Sequence, residues 1–165
     1  MLRIVKKLFE DKLGASDGEI GRVNDFYFDD QNWVVRYLVA DTGTWMPGRL
    51  VLISPHAFGG LYQGGKVLLV NLTRQQIENS PSIELHKPVS RQYEEKYHRY
   101  YGWPFYWQGG QLWGMSAFPV VPPPPGRLPG DQSTPRGVKQ KFNDSHLRSA
   151  KAITGYQIQA TDEEV

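Results

Sequence analysis

The sequence predicts a mainly β fold, a small and strongly curled β-barrel with one short helix, followed by an aromatic helical or loop extension. Three observations lead there. Residues 4–72 break into short runs rich in Val, Ile, Leu, Tyr, Phe and Trp, separated by Gly, Asp, Asn and Pro at turn spacing. Six such runs follow one another with close connections, which favours a small barrel. One, Trp33–Ala40, is partly apolar on both faces, as suits a wall covered on its outside.

Each element follows in order. Lys6–Leu13 is a short extended segment, and Ala15-Ser16-Asp17-Gly18 is turn chemistry. Ile20–Phe28 is rich in β-formers, and its alternation slips near Asp25, the mark of a bulge or barrel bend. The polar Asp29–Asn32 suits a hairpin loop. Trp33–Ala40 places Trp33, Val35, Tyr37 and Val39 on one face. Asp41–Gly48 reads as a loop, and Arg49–Ser54 as a strand stopped by Pro55. Phe58–Gln63 and Lys66–Leu72 flank Gly64-Gly65, a hairpin signal. Thr73–Asn79 reads as a short helix, because Thr73 and Gln76 match a capping box and Ser80-Pro81 ends it. A sheet curled this tightly leaves no obvious deep pocket.

Beyond residue 82 the character changes. Ser90–Tyr101 predicts a helix with Tyr93, Tyr97, Tyr100 and Tyr101 at helical spacing. Ten of the chain's 21 aromatic residues fall between 93 and 118, so this stretch is where an apolar surface is concentrated. Four prolines at 122–125 begin a polar, Pro/Gly-rich passage expected to be extended. Finally, Ile153–Val165 (ITGYQIQATDEEV) repeats Leu8–Ile20 (LFEDKLGASDGEI) without a gap. The expected organisation is a barrel over 1–82, an aromatic extension over 83–107 and a linker over 108–148. A second barrel then opens over 149–165 with its first strand alone. Such a lone strand must pair with an edge of the first barrel, join another molecule's sheet by strand exchange, or dangle.

Composition excludes several function classes. The net charge of +2 is too small to make nucleic acid or an acidic membrane the expected partner. The absence of cysteine removes disulfides, thiol catalysis and cysteine-bound metal, and fits a reducing compartment. The start, MLRIVKKLFEDKLG, lacks a signal peptide's apolar run, and no stretch approaches the roughly 20 apolar residues of a membrane span. A soluble, cytoplasmic protein is expected.

Chemistry-bearing motifs are sparse. Asp17, Glu19, Asp25, Asp29 and Asp30 form a carboxylate-rich stretch, but Asp17, Asp29 and Asp30 fall in turns, where acids serve solvation, and calcium-loop spacing is absent. His56, His86, His98 and His146 show no zinc spacing. Neither Ser54 nor Ser90 has a nucleophile-elbow context. No cofactor and no catalytic residue is assigned. PPPPGR at 122–127 fits a polyproline ligand pattern, which a proline-rich spacer produces easily.

The interaction candidates are stronger. Trp45, Met46 and Arg49 lie on the loop between two predicted strands, and Trp and Arg are favoured hot-spot residues. Alternatively Trp45 folds back to cap the barrel end. Tyr93, Tyr97, Tyr101, Trp103 and Trp107 form the aromatic stripe. It either lies on the barrel wall or builds a seam with a partner or a second copy.

DGEIGRVNDFYFDD (17–30), WVVRYLVADT (33–42), WMPGRLVLISP (45–55) and LTRQQIENSPSI (72–83), in this order, resemble the PRC-barrel family over about residues 4–80. That family is named from the cytoplasmic domain of the photosynthetic reaction centre H subunit and includes a domain of the ribosome maturation factor RimM. VSRQYEEKYHRYYGWPFYW (89–107) resembles the follow-on of bacterial stand-alone members, which often carry two barrels. The resemblance implies a PRC-type barrel used as an adaptor and no particular chemistry. The expected function is a non-enzymatic interaction or assembly module that binds an unidentified protein or itself as a homo-oligomer. Two alternatives stand beside it. One is a small-molecule or cofactor binder at the barrel–aromatic seam, around His98, Tyr101 and Trp107. The other is an accessory of a photosynthetic reaction-centre-like membrane complex.

Overall fold

The computed structural model describes residues 8, 9, 11–61, 66–83, 89–121 and 146–153. The predicted Gly64-Gly65 hairpin and all of the repeat beyond Ile153 lie outside them. The described residues are mainly β. Seven strands, β1 (Lys12–Ala15), β2 (Gly18–Asp29), β3 (Val34–Asp41), β4 (Leu50–Ile53), β5 (Phe58–Leu61), β6 (Val67–Val70) and β7 (Leu147–Ser149), form one mixed sheet. Its path is β4-β3-β2-β1-β6-β5, with β7 added on β2. All pairs are antiparallel except β1 with β6. The helices are α1 (Arg74–Glu78), α2 (Arg91–Tyr101) and α3 (Ala150–Ile153).

The long strand β2 organises the sheet. Its ladder with β3 shifts register between Val23 and Asp25, where the alternation of the sequence slips. Gly21 (φ 134°) lies so close to the end of β3 that a Cβ there would sit 1.9 Å from the Asp41 carbonyl oxygen, so only glycine permits this approach. Residues Asp29–Asn32 make the β2–β3 turn as expected, tied by the Asn32 amide donating to Asp29 Oδ1 at 2.6 Å. Trp33 departs from expectation. It sits in the turn with φ 55°, exposed and stacked on Phe28 at 5.2 Å, rather than on the inner face of β3.

Strand β3 is buried on both sides from Arg36 to Ala40, because the sheet covers one face and the aromatic extension the other. Leu13, Ile20, Val23, Leu38, Val51, Ile53 and Ile77 form the centre of the core. Helix α1 has the expected capping box: Thr73 Oγ1 accepts from the Gln76 amide, and Gln76 Oε1 accepts from the Thr73 amide. Asp17, in the β1–β2 turn, caps the same helix by accepting from the Arg74 amide at 2.8 Å.

Two expectations change. First, the hydrogen-bonded path does not close between β4 and β5 among the described residues, so the sheet is open rather than a closed barrel. The outer edge of β4 is covered by a side chain: Tyr97 Oη donates to the Leu52 carbonyl at 2.8 Å and accepts from the Ser54 amide at 3.1 Å. One phenol thereby takes two backbone groups that a closing strand would pair. Second, the span 108–148 contains folded structure at both ends. Gly109 (φ 127°) and Gly114 (φ 79°) let residues 105–116 turn back on themselves, with bridges Gln111↔Gly114 and Trp113↔Ser116 and Trp113 buried. At the other end, Leu147–Ser149 pairs with Tyr27–Asp29 of β2. The segment 149–165 opens as the last residue of β7 and the short helix α3, so the described part of it completes the first sheet. Local composition marks these stretches as polar and Gly/Pro-rich, and their partners, the edge of β2 for one and Arg36, His56 and Tyr106 for the other, are brought to them by the tertiary fold.

Candidate functional site

Helix α2 fixes the most chemically dense region of the molecule. Ser90 caps it, with Oγ accepting from the Tyr93 amide at 3.2 Å, and Gly102 (φ 70°) ends it in the left-handed conformation. Helical spacing places Glu94, Tyr97, His98 and Tyr101 toward β3, β4 and the returning 103–113 segment.

Five buried residues with polar groups, Arg36, Tyr37, His56, Glu94 and His98, tie this seam together. Glu94 Oε1 accepts from Tyr37 Oη at 3.0 Å and from Tyr106 Oη at 2.5 Å, while its Oε2 pairs with Arg91 at 3.0 Å. Tyr37 Oη also lies 2.9 Å from His98 Nε2, and His98 Nδ1 lies 2.9 Å from the Pro104 carbonyl oxygen. Arg36, 2% exposed, donates from Nε to Asp29 Oδ2 at 2.6 Å and from a terminal nitrogen to the Leu112 carbonyl at 2.5 Å. Its guanidinium stands 4.0 Å from the Tyr106 ring centre and 4.8 Å from that of Trp113. His56 stacks on Trp103 at 5.6 Å and meets Trp113 and His98 edge-on. Its Nδ1 contacts Ser54 Oγ at 2.9 Å, and its Nε2 is buried with no hydrogen-bond partner.

Burial sets the protonation. It raises the Glu94 carboxyl above its ordinary value despite the opposing pull of Arg91 and the two tyrosine hydroxyls. It lowers His98 to about 4, against the opposing Pro104 carbonyl, and lowers His56 to about 4 with help from Arg36. Tyr37 is raised well above its usual range by burial and by Glu94. A carbonyl only accepts, so His98 carries its proton on Nδ1. Tyr37 has one hydrogen for two neighbours, Nε2 of His98 and Oε1 of Glu94. The three groups are 3% exposed or less, so the line is shielded from solvent.

All eight partner-binding residues expected from the sequence are wholly or partly buried and packed within the molecule. Trp45 is half-buried beneath the Arg74 guanidinium at 4.6 Å. Arg49 donates to the carbonyls of Glu78 and Ser80 at 2.6 and 2.7 Å, closing the C-terminal end of α1, and its guanidinium touches Met46 Sδ. Tyr93 donates to the Pro81 carbonyl. Tyr97 is fully buried, and Tyr101 stacks on Trp103 at 4.3 Å. Trp107 lies between Phe105 and the Arg91 guanidinium, 4.2 Å from its ring centre. Of the alternative site, His98, Tyr101 and Trp107 all belong to this seam, with the His98 and Trp107 rings 5.4 Å apart.

The exposed apolar surface lies elsewhere. Leu112, Met115, Phe118, Val120 and Val121 are open to solvent, Met115 at 86% and Phe118 at 72%. Sequence reading placed this run in the linker, although the glycines flanking Trp113 signalled a turn-rich fold. Arg36 gave no signal, because a lone cation within VVRYLVA reads as an outward-facing position.

Among the described residues, two of the surface clefts have volumes of about 500 Å³. One is bounded by Arg22, Thr42, Trp45 and Arg74, the other by His56, Leu72, Tyr101, Trp103 and Val121. Among the described residues no three His, Asp or Glu side chains converge as metal ligands, and no helix is long and apolar enough to cross a membrane. No family model and no curated protein matches the chain.

Proposed function

We propose that this chain is a non-enzymatic interaction and assembly module of the PRC-barrel kind, acting in the cytoplasm and binding another protein or itself. The observation that carries this reading is the exposed apolar run Leu112–Val121 on an anchored backbone. Arg36 holds the Leu112 carbonyl, and buried Trp113 packs over the same guanidinium, so the neighbouring Met115 and Phe118 are presented rather than collapsed. Large apolar side chains exposed on a backbone anchored this way are characteristic of a protein contact. The buried polar groups fit the same reading. Glu94, Tyr37 and His98 spend their hydrogen bonds on one another and on backbone, which fastens the extension to the sheet. The sheet order is open, and the reading as a curled barrel rests on the sequence resemblance together with the covered edge of β4.

Affinity capture with the full chain, compared with its Met115→Ser/Phe118→Ser variant, tests the proposal. A partner, or the chain itself, held by the wild type and lost in the variant supports it. Equal capture by both, with unchanged thermal stability, overturns it.

One observation favours a second reading, a small-molecule binder. His56 leaves Nε2 unpartnered, and the residue borders the cleft beside Tyr101 and Trp103. A ligand-dependent rise in melting temperature that is lost in Trp103→Leu would favour it.

A further inference from the structure

Residues His146–Ile153 lie on β2 as a bound peptide would. Strand β1 pairs with β2 only from Gly18 to Arg22, and further along the same strand β7 pairs with Tyr27, Phe28 and Asp29. Side chains complete the seat. Asp25, next to the bulge at Asn24 and paired with Val39 in the ladder, accepts from Ser149 Oγ and from the Lys151 amide. Asp30 accepts from Arg148 Nε at 2.8 Å, lies 3.9 Å from His146 Nδ1, and its amide donates to the His146 carbonyl. Lys151 Nζ donates to Asn24 Oδ1 and stands over the Phe9 ring. The seat therefore reads an extended segment with a hydroxyl between basic residues.

We propose that this edge of β2, from Asp25 to Asp30, is a strand-docking site whose second occupant is residues 146–153 of another copy of this chain. The proposal deepens the assembly reading above, on a face distinct from Leu112–Val121. Three features support exchange. The ladder is three residue pairs long, and its charged contacts are largely solvent-exposed, so the segment opens by a local event rather than by global unfolding. Residues 122–145 separate it from Val121, a length whose full extension reaches roughly 80 Å. Every contact formed within one chain is formed again between two, so exchange conserves the interactions that hold the segment. A tethered segment competes at an effective concentration on the order of millimolar, so the exchanged fraction rises with protein concentration.

The chain has no cysteine, so introduced thiols report alone. Tyr27 and Ser149 are paired in register, and antiparallel partners stand within disulfide reach. Full-length Tyr27→Cys is mixed at high concentration with a larger, tagged Ser149→Cys chain and oxidised. A Tyr27→Cys mixture with Lys96→Cys, exposed on α2, serves as collision control. The expected result is a disulfide heterodimer severalfold above that control, rising with concentration and reduced by Asp30→Ala in the Tyr27→Cys copy. A yield equal to the control, with Tyr27→Cys/Ser149→Cys closing within one chain, overturns exchange. Failure of that double variant to close removes the seat itself. A second measurement needs no substitution: interchain nuclear Overhauser contacts between Tyr27 and Ser149 in a mixture of isotope-labelled and unlabelled wild type, whose absence overturns the proposal. Neither outcome touches the Phe118 comparison, so failure of exchange is distinguishable from failure of the assembly reading.

Discussion

Two segments are fastened to the same sheet by opposite physical means. The aromatic extension is held on β3 and β4 by buried rings around a buried polar line, with Arg36, Tyr37, Glu94 and His98 shielded from water. Segment 146–153 is held on β2 by a short ladder and by ion pairs such as Arg148–Asp30, whose side chains remain partly exposed. In the first, removing one partner strands another in a low dielectric. In the second, water replaces whatever is lost. The extension is therefore part of the fold, and the tail segment is a latch.

The sharpest way to break this contrast is Arg36→Met. It leaves the buried Asp29 carboxylate without its cation and frees the Leu112 carbonyl, and stability should fall by about 3–5 kcal/mol in urea unfolding. A loss below about 1 kcal/mol would place the seam among the weak contacts. Tyr97→Phe removes one hydroxyl and leaves Leu52 O and Ser54 N unpaired at the covered edge of β4, so a loss of about 1–3 kcal/mol is expected by the same measurement.

The pH response separates the groups within the seam. His56 and His98 are lowered to about 4 in the folded chain. As pH falls from about 6.5 to 4, the unfolded chain takes up protons that the folded one refuses, and stability falls. Glu94, raised by burial, has the opposite sign: its contribution is present at low pH and is lost as pH rises through its folded value. Urea midpoints across pH 4–7 should therefore fall more steeply toward acid in Glu94→Gln than in wild type, and less steeply in His98→Gln.

Smaller effects come last. Ser90→Ala should cost about 1 kcal/mol through the lost cap of α2. Arg148→Ala should change global stability by less than about 1 kcal/mol, while amide exchange at Ser149 and Lys151 accelerates severalfold. A global loss as large as that of Arg36→Met would erase the distinction between seam and latch.

Much of this was legible in local pattern. The bulge at Asp25, the hairpin turn at Asp29–Asn32, the capping box of α1 and the span of α2 each depend on residues close in sequence, and the structure forms all four. The candidate site was legible as a concentration of aromatics, but its orientation was not. Tyr97 and Trp103, for which the sequence left a place on the barrel wall and a place in a partner seam both open, face inward because β3 and β4 offer an apolar wall and an unpaired strand edge. Met115 and Phe118, read as linker, are left outside.

The sequence by itself determined the mainly β class, the turns, the caps and the helix that carries the aromatics, because propensity, periodicity and turn chemistry act over a few residues. Only the tertiary structure decided that the sheet stays open with Tyr97 on its edge. It also brought His56 and His98 to 6.0 Å apart, made Arg36 the buried cation of the seam and returned Leu147–Ser149 to β2. Those outcomes depend on burial and on partners distant in the chain, which set the cost of an unpaired charge and the reward for pairing a strand edge.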